Sequence, residues 1–538
     1  MRKTFISIIA LGLAACGGDP HISAPQETDT THQDTTADAT PTTGVFETPY
    51  GPMELPYTVV DGKNIVGGDI VMGRDLSGDQ QRSGVIALAS SKWPQATIYY
   101  DVDPALSPDI HRPIGDPEYS QGDRVSNAIA KWQAATPMRF VQSSTASNRV
   151  HFARSLTDCN SQVGMVNGVQ TVNLNDTCYQ SGAVHEIGHA LGLFHEHQRS
   201  DRDLSITVNA CVAGNGNYDR ELSSKETNVG AFDFNSIMLY TGCNACSATN
   251  PAPVMIRKST GLCFGQPQTI SAGDVQGVKY VYGTWHATDI GAPGRDFAAG
   301  SAGVLYGLQP DGNGVWKFSA GSWTFIGGAG SNRLYAGGTN VYRTATNNDI
   351  YMYTSGTTWT KVGSPGMDIA VSSGGTLYAL ASDGSGVYQY TGTGQAWTGI
   401  GAGGTHLYAG GSMLYKTVSN GDIYRYDGGS TWTRVGAPGR SFAVDRQGRL
   451  YATQPDGQGV WMYSGSGAVW NNIGAASNGV FAGDSTVFSI NPAGEVWKYN
   501  GTPQSWTHIN GPATKVYASG SLVAAVAVGT GELFSYAP

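Results

Sequence analysis

The chain has 538 residues, a formal charge of −9, 14% charged residues and 74 glycines, roughly twice ordinary glycine usage. That length exceeds one ordinary core and predicts two or three domains. A net acidic chain argues against nucleic acid or anionic lipid as the main partner, and 27 Tyr and 12 Trp among so many glycines favour sheet with tight turns over a helical bundle.

Residues 1–16 read as an export signal. Arg2 and Lys3 form its basic end, and the apolar stretch from Phe5 to Leu13 is too short to span a bilayer. Leu13-Ala14-Ala15-Cys16 resembles a bacterial lipobox, which implies lipidation of Cys16 and exposure at the outer membrane, the cell surface or the periplasm. No later apolar run approaches the length of a membrane helix, so the lipid is the expected membrane contact. Residues 17–45 are rich in Thr and Asp with almost nothing to bury, and predict a disordered tether. Setting Cys16 aside leaves six cysteines, all between 159 and 263, an even number suited to disulfides in an oxidising compartment. Their confinement places a domain boundary near residue 284.

Beyond the tether, KWPQATIYYDVD (92–103) alternates apolar and polar residues and predicts a strand. Val125, Ile129 and Trp132 recur at helical spacing and predict a helix followed by a strand, over 124–142. Residues 148–155 and 168–175 predict two more strands. The stretch VHEIGHALGLFHEHQR (184–199) carries the chemistry. His185 and His189 are four apart, so on a helix both reach one ion. Glu186 sits where its carboxylate meets a metal-bound water, as general base and acid. Gly192 lets the helix end sharply and the chain return His195 as third ligand. Three neutral imidazoles leave one Zn2+ an open position, which a catalytic zinc needs and a structural one lacks. HExxH alone arises by chance in roughly one such chain in a hundred; Gly192 and His195 at fixed offsets cut that about a thousandfold further.

Residues 185–196, HEIGHALGLFHE, resemble the zinc signature of the astacin family of metzincin endopeptidases. The resemblance implies an α+β catalytic domain over 83–284 with a Met-turn, supplied by FDFNSIMLY: Met238 under the metal, and Tyr240 as the tyrosine that supports the oxyanion. Leu239 departs from the family, which usually has His there. The resemblance also implies a Cys159–Cys178 disulfide. For Cys211, Cys243, Cys246 and Cys263 three pairings stay open, and a metal site at Cys243 and Cys246 is disfavoured in an oxidising compartment. Upstream, Gly67-Gly68-Asp69-Ile70 resembles the family's zymogen switch, with Asp69 in the open metal position. That makes 46–82 a pro-segment, cleaved near Arg82, whose loss also frees the enzyme from its tether and buries the new amino terminus near Glu196.

From residue 285 the chain repeats. Trp recurs at 285, 323, 359, 397, 432, 470 and 506, usually opening a phrase such as WTKVG (359–363) or WTRVG (432–436). Each unit holds about four short strands joined by Gly, Asn and Asp turns, which predicts an all-β propeller over 285–538. The strand after Trp285 would complete the last unit, giving seven blades, with six as the alternative. The repeats resemble tectonin-type propeller lectins. The whole reads as a multidomain, monomeric zinc endopeptidase acting on protein or peptide, with a propeller that binds glycan or protein for targeting. The alternative is an adhesin-like binding lipoprotein with a latent or inactive peptidase domain.

Overall fold

The computed structural model describes residues 42–48, 51–60, 62–72, 92–110, 123–220, 228–292, 294–364 and 366–538. Cys16 and the stretch around Arg82 lie outside the described residues. Four strands come first: β1 (Thr42–Thr48), β2 (Gly51–Val60), β3 (Lys63–Val66) and β4 (Ile70–Met72). They form an antiparallel meander with Val45 opposite Glu54 and Ile65 opposite Val71. β1 begins inside the stretch read as tether, because Thr42, Thr43 and Gly44 pair with Tyr57, Pro56 and Leu55 although the two threonines bury nothing. Phe46, Met53, Leu55, Val66, Ile70 and Met72 form a small core with Val163 and Phe194 of the next domain. Each such fully buried side chain contributes about 1.5–3 kcal/mol, so the segment is seated as a folded body.

The next domain contains β5 (Thr97–Val102), α1 (Arg124–Ala135), β6 (Arg139–Gln142), β7 (Arg149–Arg154), β8 (Ser161–Gln162), β9 (Val169–Leu174), α2 (Gln180–Ala190) and α3 (Ala272–Tyr282). The elements expected from apolar spacing form where they were expected. Sheet order is β6-β5-β7-β9 with parallel neighbours. β8 pairs in parallel with β4, so the leading meander continues into this domain by main-chain hydrogen bonds. α1 packs on α2, and fully buried Trp132 donates Nε1–H to the Val184 carbonyl at 2.9 Å. Arg124, also fully buried, is tolerable only because Asp109 accepts from it at 2.6 Å and the Asn175 and Cys178 carbonyls take its other protons. Cys159 pairs with Cys178, and the open pairing resolves as Cys211–Cys246 and Cys243–Cys263.

Among the described residues, the region after 285 is built of seven four-stranded antiparallel sheets. Six are contiguous, spanning 296–325, 331–363, 366–402, 406–436, 441–474 and 479–510. The seventh joins the strands at 513–519, 522–527 and 533–537 to His286–Gly291, with His286 opposite Ala537. The first strand of each sheet packs on that of the next, and Ala513–Ser519 packs on Asp296–Ala299, returning to the start. The repeated phrase has a physical reason. Trp359, Trp397, Trp432, Trp470 and Trp506 each donate Nε1–H to the Ile or Val carbonyl of the preceding unit's phrase, at 2.7–2.9 Å. A Cβ on the glycine closing that phrase (Gly363, Gly401, Gly436, Gly474) would come within 2.7–2.9 Å of the next unit's indole.

Candidate active site

α2 holds the first two histidines because its face toward the core is apolar: Ala183, Val184, Ile187 and Ala190 are buried with His185 and His189. It ends at Ala190, and Gly192 just beyond, whose φ of +101° suits glycine, turns the chain back through Leu193 to His195. Gly188 must lack a side chain, since a Cβ there would lie 2.5 Å from Met238 Sδ. Met238, 1% exposed, thus packs directly against the helix turn between the two histidines.

The three imidazoles are fully or almost fully buried, and their Nε2 atoms lie 3.1–3.2 Å apart. Each Nδ1 has an acceptor: the Ile237 carbonyl for His185 at 2.8 Å, the Leu193 carbonyl for His189 at 2.7 Å, and Gln198 Oε1 for His195 at 2.8 Å. A carbonyl oxygen only accepts, so the protons sit on Nδ1 and three Nε2 lone pairs converge. Burial lowers the His189 pKa to about 4, which keeps it neutral. Converging lone pairs of neutral imidazoles are the donor set of a zinc site.

Asp69 enters this cluster from the leading segment. Its carboxylate is 3.5 Å from Nε2 of His185 and of His189 and 3.1 Å from that of His195, and the four side chains form one group able to hold a metal. Tyr240 Oη donates to Asp69 Oδ2 at 2.6 Å and lies 3.2 Å from the Gly67 carbonyl. Gly67 and Gly68 have φ of +64° and +99°; a Cβ on the first would strike Gln198 and His195, and on the second Asn217 at 2.7 Å. Glu186 is fully buried, and among the described residues neither of its carboxylate oxygens has a hydrogen-bond partner. Burial, then the Asp69 charge, pushes its pKa well above the usual carboxylate range. An orphaned, perturbed carboxylate beside a histidine cluster is an arrangement characteristic of functional sites, which makes Glu186 a candidate reactive group.

The sequence reading missed the supports. Gln198, three residues past His195, fixes that ring. Asp274 accepts from Ser236 Oγ at 2.6 Å and from the Ile237 amide at 2.9 Å, so it holds the turn whose Ile237 carbonyl orients His185. Its one sequence signal was Ser271 three positions earlier, a capping box for α3. Glu196, which the sequence did single out, accepts from the Asp233 amide at 2.7 Å and lines a cavity of about 90 Å³ with Asp233 and Asp274; burial raises its pKa to about 7.

With this geometry in hand, known proteins supply the context. Residues 85–283 match the Astacin peptidase family. The zinc metalloproteinase nas-31 of Caenorhabditis elegans is 35% identical over 176 residues, covering 32% of this chain and 26% of that protein. Flavastacin of Elizabethkingia meningoseptica is 30% identical over 212 residues, covering 39% and 46%. The chain therefore spans about a quarter to a half of these relatives' lengths. Among solved structures, high choriolytic enzyme 1, a hatching enzyme zinc-protease from Oryzias latipes, shows 22% identity over 35% of this chain and 90% of its own, with a TM-score of 0.28. Virginiamycin B lyase from Staphylococcus aureus shows 13% identity over 47% of this chain and 99% of its own, with a TM-score of 0.39. Neither structural likeness bears on function. The chain thus carries an astacin-like zinc peptidase domain followed by a β-rich C-terminal region, and its three disulfides are those of an exported protein.

Proposed function

We propose that the chain is a latent zinc endopeptidase whose C-terminal region directs it to a glycan or protein surface. The observation that carries the reading is the convergence of three Nε2 lone pairs beside the unpartnered Glu186 carboxylate. His185, His189 and His195 would hold the ion; zinc, when bound, supplies Lewis acidity toward the scissile carbonyl and acidifies a water. Glu186 takes that water's proton and returns it to the leaving amine nitrogen, a transfer favoured by a carboxylate whose burial raises its basicity. Tyr240 Oη, once released from Asp69, donates to the carbonyl oxygen as its charge develops.

Asp69 serves as the latency switch. Its carboxylate stands among the imidazoles and engages the Tyr240 hydroxyl, so one residue withholds both the metal position and the oxyanion donor. Cleavage near Arg82 would remove it and send a new amino terminus toward the Glu196 cavity. In this reading Cys16 anchors the unprocessed chain by lipid and the mature monomer is shed.

The C-terminal sheets we read as a seven-bladed propeller: seven four-stranded sheets whose packing order returns to its start support it, and a six-bladed ring would leave one sheet over. The binding-lipoprotein reading is favoured by one observation, that Asp69 sits in the site of the chain as described. The experiment that separates the two is cleavage of a diverse peptide pool by the zinc-loaded chain after limited trypsin treatment, beside a Glu186→Ala control. Cleavage abolished by the substitution and by a chelator establishes the peptidase. A processed, zinc-loaded chain that cuts nothing leaves the binding reading.

A further inference from the structure

Just before β5 the backbone makes an elbow at Pro94–Ala96, where Gln95 has φ 55° and ψ 29° and Ala96 has φ 50°. Two consecutive left-handed residues with side chains are unfavourable, and such strain persists only where the surroundings over-determine it. Those surroundings belong to the C-terminal domain. The Gln95 amide donates to the Gly511 carbonyl at 3.1 Å, its Nε2 donates to the Pro512 carbonyl at 2.6 Å, and its Oε1 accepts from the Tyr536 hydroxyl. Beside it, Lys92 pairs with Glu495 at 2.8 Å. Gln95 is 2% exposed, a polar side chain buried inside the contact between domains.

The other side of the elbow touches the zinc helix. Trp93, 1% exposed, donates Nε1–H at 2.8 Å to the carbonyl of Ala190, the last residue of α2 and the neighbour of His189. That carbonyl is one of the helix's orphan acceptors, so the indole fixes the end of the turn bearing the second histidine.

We propose that the C-terminal domain is a positioning element for the metal site: by holding Gln95 in its left-handed elbow it seats Trp93 on the end of the zinc helix. Gln95 and Tyr536 are positioning residues that touch neither metal nor substrate. The proposal rests on the zinc-peptidase reading, but zinc release to a chelator measures it without any turnover.

The test uses the intact chain loaded with zinc. Tyr536→Phe removes one hydrogen bond and keeps the ring. Zinc release to excess chelator should quicken about fivefold, the worth of one hydrogen bond. After processing, kcat should fall with KM unchanged. Ala96→Gly, which relieves the left-handed cost without touching the C-terminal domain, should bring the release rate of the double variant back toward the parent. Gln95→Ala serves as the second probe and should release zinc faster still. If Tyr536→Phe and Gln95→Ala, both folded, release zinc at the parental rate, the proposal is overturned, as it is if both lower only the melting temperature and Ala96→Gly rescues nothing. A processed chain without activity would sink the peptidase reading, and the release rates would still decide this one.

Discussion

Replacing Gln198 by Met keeps the side chain's length and removes the acceptor on His195 Nδ1. Gln198 is 1% exposed, and its amide is fixed in orientation because Nε2 donates to the Gly216 carbonyl at 3.2 Å. Metal binding occupies Nε2 of His195, so the ring proton must then sit on Nδ1, buried and unpaired in the variant. Without metal the ring escapes by moving its proton to Nε2, where Asp69 lies 3.1 Å away and accepts it. The penalty of an unsatisfied buried donor, about 1–3 kcal/mol, therefore falls almost wholly on the metal-bound form. It converts to a zinc affinity weaker by about 10- to 100-fold, the range found when the outer partner of a ligating histidine is lost. The assay is competition for zinc against a chromophoric chelator at fixed pH, with metal-free melting as the control for packing. A Gln198→Met chain that binds zinc within about twofold of the parent would refute the tautomer argument.

Four further outcomes are expected. Glu186→Gln should lower peptide turnover roughly 10²- to 10⁴-fold while zinc content, measured by metal analysis, stays at one per chain. Asp69→Ala should let the unprocessed chain cleave peptide, and an uncleaved chain that stays silent with zinc bound would show that latency lies elsewhere. Burial opposes ionisation of Glu495, but Lys92 and His508 outweigh it and its pKa falls below the ordinary value of 4.5. Its contribution is thus present above that value and lost as pH falls through the lower folded value, so the domain contact should loosen in acid. Limited proteolysis of the contact should speed up on acidification in the parent and show little pH response in Glu495→Gln. Trp432→Ala should cost about 2 kcal/mol, less than a core tryptophan because the ring is only half-buried, and scanning calorimetry should show the C-terminal transition moving down.

What the sequence disclosed follows from how close partners lie along the chain. His185, Glu186 and His189 share one helix, and Gly192 and His195 follow within six residues, so their geometry is written in their spacing. The tryptophan phrase was legible because each indole reads its neighbour's phrase one unit back, repeating contact and period together. Asp274 and Gln95 left no such trace. Asp274 holds a turn nearly forty residues upstream, and Gln95 is met by Tyr536 from 441 residues away. The four remaining cysteines were equally silent, since only the folded chain brings Cys211 to Cys246. The resemblance pointed to Asp69, which the structure brings beside the three histidines, but gave no sign of the hydrophobic body around Phe46 and Leu55 that seats it.

The pairing of His286–Gly291 with Leu533–Ala537 also imposes an order in time. A strand made directly after the peptidase domain waits without its ladder partner until nearly 250 further residues have been made. The catalytic domain can fold during that interval, beside an unfinished partner that is the nearest unfolded polypeptide. In the latency reading proposed above, an aspartate already seated among the histidines, delivered by residues made still earlier, would withhold the site from that unfinished half.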